Sequence, residues 1–212
     1  MTDVVIMVSG GGTNLQALID AKSRGKLPHV NLRAVVSSSS NAYAVTRAEC
    51  AGIETVSLDI KGYSDRGQYT RDLCGLIRNY NPGLIVTAGF LYVLTPEFAE
   101  EFDGRVINIH PSLLPSFGGV GCYGIHVHEK ALAAGVKVTG ATVHYVTAIP
   151  DTGPIIAQKA VEVLDGDTPE TLQQRVMREA EWVILPKAVE AFCIKNQVNQ
   201  RQKGHNYDTF AS

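Results

Sequence analysis

The chain has 212 residues, of which 45% are hydrophobic and 19% charged. That length suits one large domain or two small ones, and a core burying roughly 70% of the extended surface needs no covalent staples. A formal net charge of −2 supplies no basic face, so no nucleic-acid partner is expected.

Cys50, Cys74, Cys122 and Cys193 are scattered with no CxxC pair, which argues against a zinc knuckle or redox motif and for reduced thiols. The N-terminal apolar run is too short for a signal peptide and lacks a basic region. No stretch approaches a membrane span, so no membrane partner and a cytoplasmic location are expected.

Residues 4–8 are a continuous apolar, β-branched run suited to a strand buried on both faces. Ser9-Gly10-Gly11-Gly12-Thr13-Asn14 follows, then a helix with Leu15, Leu18 and Ile19 on one face. Strand, glycine loop, helix is the layout of a phosphate site, because glycine lets backbone N–H groups approach an anion at a helix N-terminus. The loop matches neither the Walker pattern nor GxGxxG. A tight turn with Thr13 or Asn14 as N-cap is the alternative.

Strands are expected at 32–36, 55–58 and 84–88, with helices at 42–51 and 63–80 between them. The 63–80 helix carries Arg66, Arg71 and Arg78, which read as solvated charges. Gly89-Phe90-Leu91-Tyr92-Val93-Leu94 is an apolar loop at a strand end, readable as core packing or as a wall for a flat ring. Thr95-Pro96 then opens another helix.

The stretch 105–153 organises the rest. A short strand at 106–109 delivers Asn108 and His110 to its carboxyl end, where Pro111 holds His110 extended. A longer strand at 138–146 leads to Asp151 in a Pro-Asp-Thr-Gly turn, and a further strand at 155–163 returns in hairpin fashion. If the sheet brings that turn to His110, an oxyanion donor, a proton carrier and a carboxylate share one crevice. Taken singly, each residue is ordinary turn or structural chemistry. His126 and His128, with His110 and His144, lack a carboxylate at metal-ligand spacing, so no metal is expected. Ser112 has no nucleophile-elbow context.

Thr168 caps a last helix running to about residue 194, with a kink at Pro186. Residues 195–212 are polar and aperiodic, and are expected to be a loose tail outside a single domain at 1–194. Alternating βα units followed by a strand pair predict an α/β fold, with a mostly parallel twisted sheet, helices on both faces and a C-terminal antiparallel strand pair.

SGGGTNLQALID, AGFLYVL, INIHPSLLPSF, VTGATVHYV and DTGPII together resemble the folate-dependent formyltransferases, and among them the phosphoribosylglycinamide formyltransferase family of purine biosynthesis, over 4–192. The resemblance implies formyl transfer from 10-formyltetrahydrofolate to the glycinamide ribonucleotide amine, without metal, by a monomer or homodimer. Carried over, Asn108 holds the formyl oxygen, His110 is the acid/base group and Asp151 supports its charge. Gly11, Gly12 and Thr13 take the substrate phosphate, and Glu181 takes the ribose. Arg66 and Leu91, Tyr92, Val93, Leu94, with Asn108, face the reduced folate. Thr147-Ala148-Ile149-Pro150 stands where relatives often place an acidic residue, Tyr92 where they often place a basic one, and the loop at 118–124 is longer than in many. Formyltetrahydrofolate hydrolases carry an extra N-terminal regulatory domain and methionyl-tRNA formyltransferases an extra basic C-terminal one; neither is expected here. A non-catalytic sensor on the same fold would not need all three polar groups.

Overall fold

The computed structural model describes residues 1–208, and their side chains as far as residue 198. Strands β1 (Thr2–Val8), β2 (Val30–Ser37), β3 (Glu54–Ser57), β4 (Leu84–Thr87), β5 (Val106–His110), β6 (Val138–Tyr145) and β7 (Ile155–Glu162) form one sheet in the order β3-β2-β1-β4-β5-β6-β7. The first five are parallel; β6 runs antiparallel to β5, and β7 antiparallel to β6.

Alternation along β1 builds two cores. Val4, Ile6 and Val8 enter one core with Leu15 and Leu18 of helix α1 (Thr13–Ser23) and Ala44 of α2 (Tyr43–Cys50). Val5 and Met7 enter the other, with Tyr69, Leu73 and Ile77 of α3 (Arg66–Arg78) and Phe98 of α4 (Pro96–Glu101). Both faces of the strand are therefore covered, which is why it reads as continuously apolar. Each fully buried aliphatic side chain contributes about 1.5–3 kcal/mol by leaving water.

Chain order reverses on either side of β1, whose neighbours are β2 and β4. Ligands of open α/β sheets bind at such a switch, beyond the strand carboxyl ends. The glycine loop follows β1, the Gly89–Leu94 segment follows β4, and Asn108 and His110 end β5.

Three readings are corrected. α3 starts at Arg66 instead of residue 63, because the Asp65 carboxylate accepts from the N–H groups of Gly67 and Gln68 at 2.9 and 3.1 Å and caps it there. Helix α5 (Ile125–Ala133), to which the sequence reading assigns no element, buries Val127, His128 and Ala131; its two early histidines obscure the apolar face. The last helix runs on through Pro186 and widens ahead of it. It comprises α6 (Pro169–Val176), a wide π turn at Met177–Glu181 and α7 (Trp182–Asp208), and Pro186 falls just past the first turn of α7, where its missing N–H removes one bond.

α7 also continues past residue 194, so the stretch expected to be loose is helical through Asp208. Residues 195–203 contain no Gly or Pro, and their Lys, Gln and Arg favour helix without needing an apolar face. Residues 209–212 of that expected tail lie outside the described residues. Among the described residues, no helix is long and apolar enough to cross a membrane.

Ile107 is fully buried in the strand between Asn108 and the sheet centre. Ile107→Ala should lower unfolding free energy by about 2–5 kcal/mol in urea titrations; a loss under about 1 kcal/mol would mean the strand is not held by this core.

Candidate active site

Pairing across the sheet assembles the site. β4 places Thr87 beside Asn108, and β6 places His144 opposite Asn108 and Thr142 opposite His110. The side chains form a chain of bonds. Thr87 Oγ1 donates to Asn108 Oδ1 at 2.6 Å, Asn108 Nδ2 donates to His144 Nε2 at 3.1 Å, and His144 Nδ1 donates to the Tyr145 carbonyl at 2.9 Å. This fixes the amide with its nitrogen towards the histidine and keeps one of its two N–H groups for another acceptor.

The β6–β7 hairpin turn carries Asp151 into the same place. Asp151 sits at φ +57°, a left-handed conformation that aspartate tolerates better than most residues. A Cβ at Gly153 would lie 1.8 Å from the Tyr145 carbonyl oxygen, so only glycine lets the hairpin close. Asp151 Oδ2 is 3.6 Å from His110 Nδ1 and Oδ1 is 3.5 Å from His144 Nε2. The Gly119 N–H donates to Oδ2 at 2.8 Å. A Cβ at Gly118 would stand 3.2 Å from Asp151 Cβ and 2.6 Å from Leu114 Cδ2, so a larger residue there would crowd Asp151 and displace the Leu114 side chain.

His110 is 4% exposed. Its Nε2–H donates to the Phe117 carbonyl at 2.9 Å, which leaves Nδ1 as the bare nitrogen of the neutral ring, facing Asp151. Burial lowers its pKa; the Asp151 charge and the Phe117 bond oppose that shift without cancelling it. Asp151 is raised by burial, but His144, His110 and the Gly119 N–H outweigh this and hold it below the usual carboxylate range. At neutral pH the pair is thus a neutral imidazole beside a carboxylate, ready to accept a proton and keep the resulting cation.

The backbone around His110 is held by Thr142. Its hydroxyl donates to the Ser112 carbonyl at 2.7 Å and accepts from Leu114 N–H and Gln158 Nε2 at 3.1 and 3.0 Å. Ser112 donates to the Ser116 carbonyl at 2.5 Å and is fully buried, so it is no nucleophile. His126 pairs with Glu129 at the surface. His128 is buried, and burial followed by the His110 charge pushes it down to about 4, so it stays neutral.

Asn108, His110, Asp151, Leu91, Tyr92, Val93 and Leu94 all line one crevice of about 190 Å³. Arg66 is not in that lining; its guanidinium lies 5.4 Å over the Tyr92 ring, at the outer edge. Gly11, Gly12, Thr13 and Glu181 form a second cluster. Gly12, at φ +70°, is the N-cap of α1, not Thr13 or Asn14, and a Cβ there would meet Ala44 Cβ at 2.6 Å. No side chain caps α1, so its N-terminus stays open to an anion. Glu181, on the π turn, accepts from Asn14 Nδ2 at 2.8 Å; burial pushes its carboxyl up to about 7 against that bond. The Leu91 N–H donates to Ser9 Oγ at 2.9 Å, tying the loops after β1 and β4 together.

The sequence reading missed His144 as a partner of Asn108 and Asp151, weighing it only as a metal ligand. Its place two residues from Thr142 on an alternating strand was the available signal, but it needs the β5–β6 register to be used.

In this α/β fold an amide donor, an imidazole and a carboxylate converge in one crevice, an arrangement chemically capable of assisting attack on a carbonyl-type carbon. The formyl transferase family signature matches residues 2–189, and the chain belongs to that family; it is a formyltransferase. Phosphoribosylglycinamide formyltransferase of Escherichia coli (strain K12) is 39% identical over 190 residues, covering 90% of this chain and 86% of that one. Glycinamide ribonucleotide transformylase 1 from Symbiobacterium toebii superposes with TM-score 0.85 at 38% identity, covering 92% of this chain and 89% of that one. The Coxiella burnetii phosphoribosylglycinamide formyltransferase, in complex with CHES, has TM-score 0.83 at 41% identity, covering 92% and 88%.

Glu181 gives a pH test of the second cluster. Its folded pKa of about 7 exceeds the ordinary glutamate value of 4.5, so its contribution to stability is whole below about 4.5 and lost as pH rises through about 7. Urea titrations should find Glu181→Gln gaining on the parent protein by up to about 3 kcal/mol between those pH values. A pH-independent difference would place the carboxylate in water.

Proposed function

We propose that the chain transfers the formyl group of 10-formyltetrahydrofolate to the amine of glycinamide ribonucleotide, a step of purine biosynthesis. The observation that carries this reading is the convergence of Asn108, His110 and Asp151 at the carboxyl end of β5. The names of the similar proteins support the acceptor, glycinamide ribonucleotide, and the group transferred.

The amine attacks the formyl carbon, and the new C–N bond forms as the C=O π pair moves onto oxygen; the tetrahedral intermediate then restores C=O as the bond to N10 breaks. Negative charge collects on the formyl oxygen, where the uncommitted N–H of Asn108 stabilises it; such a donor contributes about 10²–10³ in rate. His110 Nδ1 takes the proton from the attacking amine and returns it to N10 as that nitrogen leaves. Asp151, 3.6 Å away, stabilises the imidazolium between the two transfers.

The open N-terminus of α1 with Gly11, Gly12 and Thr13 receives the substrate phosphate. Glu181, ionised, accepts hydrogen bonds from the ribose hydroxyls. Leu91, Tyr92, Val93 and Leu94 supply an apolar wall and main-chain groups for the flat ring of the folate. Arg66 faces its acidic tail at the rim. No step in this scheme calls on a metal.

His110→Ala should lower kcat by about 10²–10⁴ while the phosphate substrate binds nearly as before. Asp151→Asn removes the charge that raises the His110 pKa, so the acid limb of the pH–rate profile should move to lower pH and kcat should fall. Parent-like turnover in the first variant, or an unmoved profile in the second, would remove that residue from the mechanism.

A further inference from the structure

A second cavity, a groove of about 820 Å³ between α1 and α7, shares no lining residue with the catalytic crevice and one, Thr13, with the cluster assigned to the substrate phosphate. The two helices run side by side in the same sense: Thr13 meets Met177 at one end, and His29 at the end of the following loop meets Glu190 at the other. Small residues from both, Ala17, Ala21 and Ala191, make its floor. Trp182, 36% exposed, and Ile194, 43% exposed, stand at its two ends, about 18 Å apart along the helix.

The rim is cationic: Arg24, Lys26, Arg47 and Lys187 face two carboxylates, Asp20 and Glu190. Both carboxylates are already engaged. Asp20 accepts from Gln16 at 2.8 Å and pairs with Arg24 at 3.7 Å; Glu190 pairs with His29 at 2.5 Å. Arg47 is committed to the Gly11 carbonyl and Gln16 at 2.8 and 2.9 Å. Lys26 and Lys187 have no side-chain partner among the described residues, and both are exposed.

We propose that this groove binds a small amphiphilic anion, with a flat apolar body against Trp182 and the alanine floor and a phosphate or carboxylate held by Lys26 and Lys187. The volume is that of sites for small organic ligands, which pair an apolar wall with a few placed charges. An uncharged ligand would leave the excess of cations unanswered, and an indole face suits a flat ring.

Trp182 is the chain's single tryptophan, so its emission reports on the groove alone. Titrating the full chain with anilinonaphthalene sulfonate, a flat apolar ring system bearing one anion, should quench that emission saturably, with one probe per chain. Charge reversal at both lysines (Lys26→Glu with Lys187→Glu) should weaken the affinity by about tenfold or more. Ala17→Tyr, which fills the groove without touching its charges, should abolish the quenching, and His110→Ala should leave it unchanged. Adenosine monophosphate and benzoate as competitors separate a phosphate from a carboxylate headgroup. Affinity unchanged by either groove variant, displacement by the phosphorylated substrate alone, or displacement by neither competitor would overturn the proposal. Loss of formyl transfer without loss of probe binding would count against the proposed reaction and not against this site.

Discussion

The antiparallel pairing of β5 with β6 is the constraint on which the site depends. It sets His144 opposite Asn108, and it leads the chain into the hairpin turn that carries Asp151 between two imidazoles. A one-residue slip would turn every side chain of β5 to the other face, sending Asn108 and His110 into the core and Ile107 and Ile109 into the crevice. The burial of Ile107 and Ile109 opposes that slip, so the packing of one face maintains the chemistry of the other.

Much of this was readable from residue order. The β-branched run at the start and the Val- and Thr-rich strand each read as strand, the glycine loop between strand and helix reads as a turn or a phosphate site, and the sheet follows from their order. Asn108 and His110 stood out only in combination with Asp151 and the surrounding motifs, since singly each is ordinary turn or structural chemistry. What was not readable depends on register. His144, Thr87 and Thr142 matter only through what lies opposite them, and no local pattern reports that. The helix at Ile125–Ala133 was hidden by its own histidines, one buried and one exposed. The π turn at Met177–Glu181 lies in a stretch whose propensity is helical throughout, and tertiary packing decides where the helix widens.

The electrostatics divide into two zones. Around His110, burial and a nearby carboxylate oppose each other and leave a neutral ring next to an anion. Around Glu181, burial is countered only by the Asn14 amide, so its charge is unfavourable there. Under the proposed scheme, the ribose hydroxyls would supply the missing donors and a bound substrate would favour ionisation. The two zones meet where the loops after β1 and β4 are joined by the Leu91–Ser9 hydrogen bond, the route along which a phosphate-anchored substrate would extend its amine towards His110.

The most direct test of the proposed reaction is the release of tetrahydrofolate from 10-formyltetrahydrofolate, followed with and without glycinamide ribonucleotide. Direct attack by the substrate amine predicts release that depends on the ribonucleotide and matches it mole for mole with formylated product. Equal release in its absence would make water the nucleophile and would contradict the transfer proposed here.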